Sequence, residues 1–143
     1  MHTKQPEILK NLVLASIVCL LVVACGQSEW KTTDDVEIIS ESKSPDAKYI
    51  ATVFSCSGGG AAGYSYTNVN LRKTSDEFSQ RDFLLGKHLW NSYNEISVDW
   101  KDSTNLDVSY HWLSSNPEER KQNGRRVAEK DGVVVNYIQL ETE

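Results

Sequence analysis

Three kinds of hydrophobic pattern follow one another along the chain. From Leu12 to Ala24 the residues are apolar almost without interruption, and the run stops at Cys25-Gly26. After a polar stretch, strand-like periods take over. Val36 to Ser40 predicts a short first strand. Tyr49-Ile50-Ala51-Thr52-Val53-Phe54 is apolar on both faces and rich in β-branched residues, the pattern of a buried strand. Tyr64 to Arg72 alternates, with Thr67, Val69 and Leu71 pointing one way and Tyr66, Asn68, Asn70 and Arg72 the other. The cleanest period of two comes next. Ile96, Val98 and Trp100 oppose Glu95, Ser97, Asp99 and Lys101. Leu106, Val108, Tyr110 and Trp112 then oppose Asp107, Ser109 and His111. Asp102-Ser103-Thr104-Asn105 between them reads as a four-residue hairpin connection. Arg125 to Lys130 and Val133 to Leu140 predict a last hairpin on a two-residue Asp131-Gly132 turn.

Breaks in these periods place the connections. Ser44-Pro45-Asp46-Ala47-Lys48 is a turn, with proline presetting φ and Asp46 offering its side chain to nearby N–H groups. Ser57-Gly58-Gly59-Gly60-Ala61-Ala62-Gly63 is a flexible loop between two strands. From Thr74 to Trp90 the apolar residues Phe78, Phe83, Leu84, Leu85 and Leu89 fit neither period, leaving room for a helical turn near Asp76 to Phe83. Ser115-Asn116-Pro117-Glu118-Glu119 combines a cap, a proline and acids, and predicts one helical turn. The expected fold is mainly β: a single antiparallel β-sandwich or curved meander of six to seven strands with little helix.

The first apolar run is thirteen residues long, short of the roughly 20 that span a bilayer as a helix. Lys4 and Lys10 flank it in front, as in a secretory signal. Val22-Val23-Ala24-Cys25 resembles the lipobox of bacterial lipoproteins, in which a small residue precedes an obligatory cysteine. The resemblance implies that residues 1–24 are a signal peptide removed before Cys25, and that the Cys25 thiol carries a diacylglyceryl group. Several acyl chains are needed because each buried methylene contributes only about 0.8 kcal/mol. Residues 25–35 then form the lipidated cysteine and a short tether, and 36–143 a single β-rich domain. Gly26 stands where aspartate goes with inner-membrane retention. The implied location is therefore the cell envelope, anchored in the outer membrane and facing the periplasm.

Composition narrows the remaining chemistry. From Cys25 onward the chain carries 13 basic and 19 acidic side chains, a net charge of −6. That balance argues against nucleic acid, which selects basic patches, and against a polybasic membrane footprint. With Cys19 in the signal and Cys25 lipidated, Cys56 stands alone, so no intramolecular disulfide is expected. No CxxC or Cys/His cluster suggests a metal site, and no fingerprint suggests a cofactor.

A second likeness rests on Ser44-Pro45-Asp46-Ala47-Lys48, the apolar strand after it, Cys56 with its small residues, and the hairpin from Trp100 to Leu106. This order is similar to a family of small bacterial proteins of unassigned activity. Its members carry Ser-Pro-Asp-Gly-Lys, a strand, Cys-Gly-Ala and a Trp-x-x-x-x-x-Leu hairpin. The chain departs from it in Ala47 for glycine and in Cys-Ser-Gly-Gly-Gly for Cys-Gly-Ala. The same segments look like one blade of a TolB-type β-propeller, though the chain is too short for a ring of blades. These likenesses imply fold and compartment, not an activity.

Candidate sites follow from residue type. Cys56 beside a glycine loop could be a nucleophile with His88 or His111 as base. It lies between two strands, however, rather than at a strand-to-helix elbow, and the simpler reading is a small apolar filler. Gly58-Gly59-Gly60 lacks the Gly-Lys-Ser/Thr and helix of a phosphate loop and reads as a permissive hairpin loop. It also lets backbone approach a partner, with Tyr64, Tyr66 and Tyr93 as contact aromatics. His88-Leu89-Trp90 and His111-Trp112 are candidates for a cleft or a partner surface. Three classes of function remain. The leading one is a non-enzymatic envelope lipoprotein that binds a protein partner or supports an assembly. The others are a Cys56-dependent periplasmic enzyme or redox protein, and a small inhibitor or immunity-type protein.

Overall fold

The computed structural model describes residues 34–87, 92–113 and 115–141, all within one compact unit. The apolar run, Cys25 and most of the tether lie outside these residues, as does His88-Leu89-Trp90. Among the described residues seven strands form two sheets. The first has the order β1 (Asp35–Lys43), β2 (Tyr49–Gly58), β3 (Tyr64–Lys73). The second has the order β4 (Tyr93–Asp102), β5 (Asn105–Trp112), β7 (Val133–Gln139), β6 (Glu129–Lys130). A helix, α1 (Pro117–Asn123), lies between β5 and β6. The fold is mainly β, as the sequence predicts.

The first sheet is an antiparallel meander built by its turns. In the Ser44–Lys48 turn Ser44 Oγ donates to Asp46 Oδ1 (2.8 Å), and Asp46 Oδ1 accepts from the Lys48 N–H (3.3 Å). Ala47 there has φ 58°, a left-handed conformation that costs an L-residue roughly 1–2 kcal/mol. The second hairpin uses a short 3-10 turn, Gly60–Ala62, after Gly59 at φ 83°. β1 pairs only with β2 and carries a bulge at Ile39, leaving Ile38 and Ile39 about half exposed. Bulges of this kind blunt an open edge against uncontrolled pairing.

The central strands are buried on both faces. Ala51, Val53, Val69 and Leu71 pack with Tyr93, Leu106, Val108, Tyr110, Val133 and Val135 of the second sheet. On the opposite face Phe54, Cys56 and Tyr66 are covered by Phe78 and Phe83. The segment that fits neither hydrophobic period is thus an irregular lid, and no helix forms at Asp76 to Phe83. The row Tyr66, Asn68, Asn70, Arg72 is covered rather than solvated because its polar atoms bind that lid. Tyr66 donates to the Gln80 carbonyl (2.9 Å), and Asn70 Nδ2 to the carbonyls of Asp82 (2.7 Å) and Ser79 (3.3 Å). Asn68 Nδ2 donates to the Leu85 carbonyl (2.6 Å), while its Oδ1 accepts from the N–H groups of Leu85 (3.0 Å) and Val69 (2.8 Å).

That lid also stitches the sheets together. Leu84 N–H donates to Val69 O (2.9 Å) and Gly86 N–H to Arg125 O (2.7 Å). Val127 N–H donates to Leu84 O (3.1 Å) and Val135 N–H to Ala128 O (2.9 Å). A hydrogen-bonded path therefore runs from β3 through residues 84–86 and 125–128 to β7. Arg125 to Lys130, expected as a full strand, is largely spent on this stitch, leaving β6 only two residues.

The second sheet departs from an all-antiparallel expectation. β7 pairs parallel with β5, Leu106 opposite Val135 and Val108 opposite Tyr137. A parallel pair needs a crossover of a dozen or more residues, and the stretch between Trp112 and Val133, with α1 in it, supplies one. The helix starts at the predicted cap: Asn116 Oδ1 accepts from Glu118 N–H (3.0 Å), with Pro117 at the first turn. The β6–β7 turn uses Asp131 at φ 53° and Gly132 at φ 84°, which is why Asp-Gly suits it. The β4–β5 connection is tighter than four residues, because Asp102 and Asn105 belong to the strands and pair with each other. Trp100 and Leu106 face each other in register across it.

Candidate functional site

The residues singled out around the glycine loop fall into two environments. Cys56 is 1% exposed and lies opposite Tyr66 in the β2–β3 register, inside the small core with Phe54. His111, the histidine among the described residues, is on the other sheet. Tyr66 is buried too, and burial followed by the neighbouring Cys56 thiol raises its pKa well above that of a free phenol. Tyr64 is half-buried, stacks on Tyr66 (6.1 Å, 30°) and donates a short hydrogen bond to the Asp34 carboxylate. That bond pushes the Tyr64 pKa up to about 12 and holds the Asp34 carboxyl below its usual range. Gln80 Nε2 completes the cluster at 3.3 Å from Asp34. Gly58 leaves room for this pair, since a Cβ there would sit 2.7 Å from Asp34 Oδ1 and 2.9 Å from the Tyr64 hydroxyl and one of them would have to move. Gly59 and Gly60 are exposed. Tyr93 is not beside this loop. It is buried in the second sheet and donates to the Asn123 carbonyl at 2.5 Å.

The concave surface lies elsewhere, at one end of the second sheet. An open groove of about 670 Å³ is lined by Asn94 and Glu95 from β4, His111, Trp112 and Leu113 at the end of β5, and Leu140 and Glu141 beyond β7. Its position follows from an irregularity in β4. Tyr93 and Ile96 both pack toward the core, a spacing of three that a regular strand does not allow. The β4–β5 register accordingly shifts between Asn94 and Ser97, and Glu95 is forced to φ 48°. The bulge throws the Glu95 carboxylate outward, where Oε2 lies 3.4 Å from His111 Nε2. That contact is an ion pair whenever the imidazole is protonated.

Behind the groove the aromatic residues are fixed. Tyr93 lies 4.7 Å from the Trp112 ring and Tyr110 packs edge-on to both. Arg120 and Arg126 lie over the Trp112 ring, each 5.9 Å from its centre, and Arg126 also bonds the Tyr110 hydroxyl. Trp112 Nε1 donates to Gln139 Oε1 (3.0 Å). Asn94 Oδ1 is shut off from solvent and has no hydrogen-bond partner among the described residues. A buried orphan of this kind costs about 1–3 kcal/mol. Leu113 is 44% exposed and Leu140 37%; on β7, Ile138 is 42% exposed, and Val134, at the end of the strand opposite Asn105, is 43% exposed.

His111-Trp112, read from sequence as a cleft candidate, is in this groove. Asn94, Glu95, Leu113, Leu140 and Glu141 were not singled out. The signal for the first two was the three-residue spacing from Tyr93 to Ile96; for the last three there was none, because they meet only through the parallel β5–β7 pairing. Among the described residues no group of three or more His, Cys, Asp and Glu is placed to hold a metal ion, and no helix is long and apolar enough to cross a membrane. Compared with protein families, with curated proteins and with solved structures, the chain matches none.

Proposed function

We propose that the chain is an envelope lipoprotein, held to the membrane by acyl chains on Cys25, whose β domain binds a protein partner rather than turning over a substrate. The observation that carries the binding part is the pair of exposed aliphatic side chains that line the groove, Leu113 and Leu140, with Ile138 of β7 exposed two residues before Leu140. Solvated strand faces normally carry polar residues, and contiguous apolar surface marks interaction sites. The anchoring part rests on the apolar run, its basic flank and Val22-Val23-Ala24-Cys25. Cys56 offers little support for a thiol-dependent activity, since a nucleophile needs access and a partnering base and this thiol is packed among aromatic rings.

Two readouts in the native host test the two parts. Labelled palmitate should enter the wild-type chain and be lost from Cys25→Ala; an unlabelled wild-type chain overturns the anchoring. A photo-crosslinking residue at Ile138 should give a discrete adduct in intact membranes, and one at Glu77, on the lid of the first sheet, should not. Equal or absent adducts at both positions overturn the binding face.

A further inference from the structure

We propose that the uncovered margin of β7 pairs with the same strand of a second copy of the chain, antiparallel about a twofold axis at Ile138. The proposal rests on the protein-binding reading and names the partner. Val134 and Leu140 donate their N–H groups to the β5 side, at the carbonyls of Thr104 and Tyr110 (2.8 Å each). Backbone groups of alternate residues in a strand point to opposite sides, so Val133, Val135, Tyr137 and Gln139 face away from β5. The first two are met from within the chain: Val133 lies opposite Lys130 of β6, and Val135 N–H donates to the Ala128 carbonyl (2.9 Å). Past Val135 no strand among the described residues runs along that side, and Tyr137 and Gln139 present an open ladder. The other margins are guarded. β1 is bulged at Ile39 and bears Asp35, Glu37, Glu41 and Lys43. β4 is bulged between Asn94 and Ser97 and bears Glu95, Asp99 and Lys101. The lid occupies β3 through the Leu84 N–H on the Val69 carbonyl. Bulges and charges keep sheet edges from pairing. Val133 to Leu140 has neither, and contains no proline or glycine. An edge of that kind recruits another strand.

A second copy fits because the open stretch is complementary to itself. With the axis at Ile138, Tyr137 of one copy stands opposite Gln139 of the other, and the two exchange N–H and carbonyl groups in both directions. Ile138 then faces its own counterpart as a non-hydrogen-bonded pair, and exposed apolar surface is covered. Asn136 of the second copy comes beside Leu140, at the rim of the groove. No like charges meet, since Asn136 to Leu140 carries none. Pairing stops where Ala128 already sits on Val135. The next residue of the second copy, Glu141, is thereby delivered to the segment that carries Arg125 and Arg126, opposite charges brought together twice by the symmetry. A parallel, in-register pairing would instead set the two Glu141 residues side by side. The contact is short against the roughly 1,600 Å² of a standard stable interface. It therefore operates at the high local concentration of chains anchored on one membrane.

The test uses the full-length chain in membranes of the native host, with introduced cysteines and a mild oxidant. Across the axis the Ile138 Cα atoms would lie about 4.5 Å apart, inside the range of about 4.4–6.8 Å that a disulfide bridges. Ile138→Cys should therefore give a disulfide-linked dimer well above the wild-type level, Cys56 being buried. Asn136→Cys alone should not, because its counterpart is displaced by roughly 13 Å along the strand. Asn136→Cys co-expressed with Leu140→Cys should link. Adding Ile138→Lys to both of those chains should cut the yield about tenfold through lost burial and repulsion, and lysine in one chain with glutamate in the other should restore it. These changes lie on exposed positions, so folding is not at stake. No dimer from Ile138→Cys above wild type, or equal yields from Ile138→Cys and Asn136→Cys, overturns the proposal. A photo-crosslinked adduct at Ile138 whose mass is not that of two chains would leave the protein-binding reading standing and this one fallen.

Discussion

Two asparagines on strands mark two different solutions to the same problem. Asn68 on β3 is 3% exposed and its amide makes three hydrogen bonds, joining its own strand to Leu85 through both backbone groups of that residue. Asn94 on β4 lies at a bulge with its oxygen buried and unpaired. The first amide belongs to a seam that the fold closes. The second belongs to a groove that the fold leaves incomplete. Polar burial is stabilising at one site and costly at the other, and the difference lies only in whether a partner has been supplied from within the chain.

The largest effect should come from opening the seam. Asn68→Ala removes three hydrogen bonds and orphans the Leu85 backbone, for a loss of about 3 kcal/mol in unfolding free energy, read from the urea midpoint at constant slope. Asn94→Ala should do the opposite: stability unchanged or raised by about 1 kcal/mol. A loss instead would show that the Asn94 amide is satisfied, and the contrast would collapse.

Backbone strain sharpens the same distinction on a smaller scale. Glycine at either left-handed position should stabilise by about 0.5–1 kcal/mol, yet the consequences for binding should separate. Ala47→Gly acts at a turn remote in sequence from the groove residues and should leave the adduct at Ile138 intact, whereas Glu95→Gly, which takes a carboxylate out of the groove, should weaken it. The smallest effect concerns acid. Hydrogen bonds from Arg72, then Thr52, hold the Glu41 carboxyl below its ordinary value of 4.5. A depressed carboxylate pKa gives stability that is complete above 4.5 and is lost as the pH falls through the depressed value. Glu41→Gln should therefore flatten the acid side of the stability profile, compared by urea midpoints at neutral pH and below 4.5; an unchanged slope would remove Glu41 from the account.

The legible parts of the fold were those set by local chemistry. Asp131-Gly132 demanded a left-handed pair, Asn116-Pro117 a helix start, and the alternation through Trp100 and Leu106 an antiparallel pair in register. What stayed hidden depended on distant partners. Asn68 and Asn70 alternate like solvent-facing residues, and nothing nearby says that residues 79–85 will fold over them. The parallel placement of β7 is likewise invisible in Val133 to Leu140, whose β-branched residues suit either direction. For the groove, only His111-Trp112 drew notice, because aromatic and imidazole side chains attract attention by type. Its carboxylates and leucines are ordinary residues made special by the strand order.

The parallel pair has a consequence for how the domain is made. β7, last of the seven to be synthesised, is not added at a margin but slides in between β5 and the two-residue β6. A nascent chain that has emerged only as far as Lys130 shows the flank of β5 with its ladder unfilled and Leu106 and Val108 missing Val133 and Val135 as neighbours. Such an intermediate is sticky. A domain assembled in this order gains from staying unfolded, or escorted, until Gln139 is free, a demand that export as an extended polypeptide would meet without any extra device.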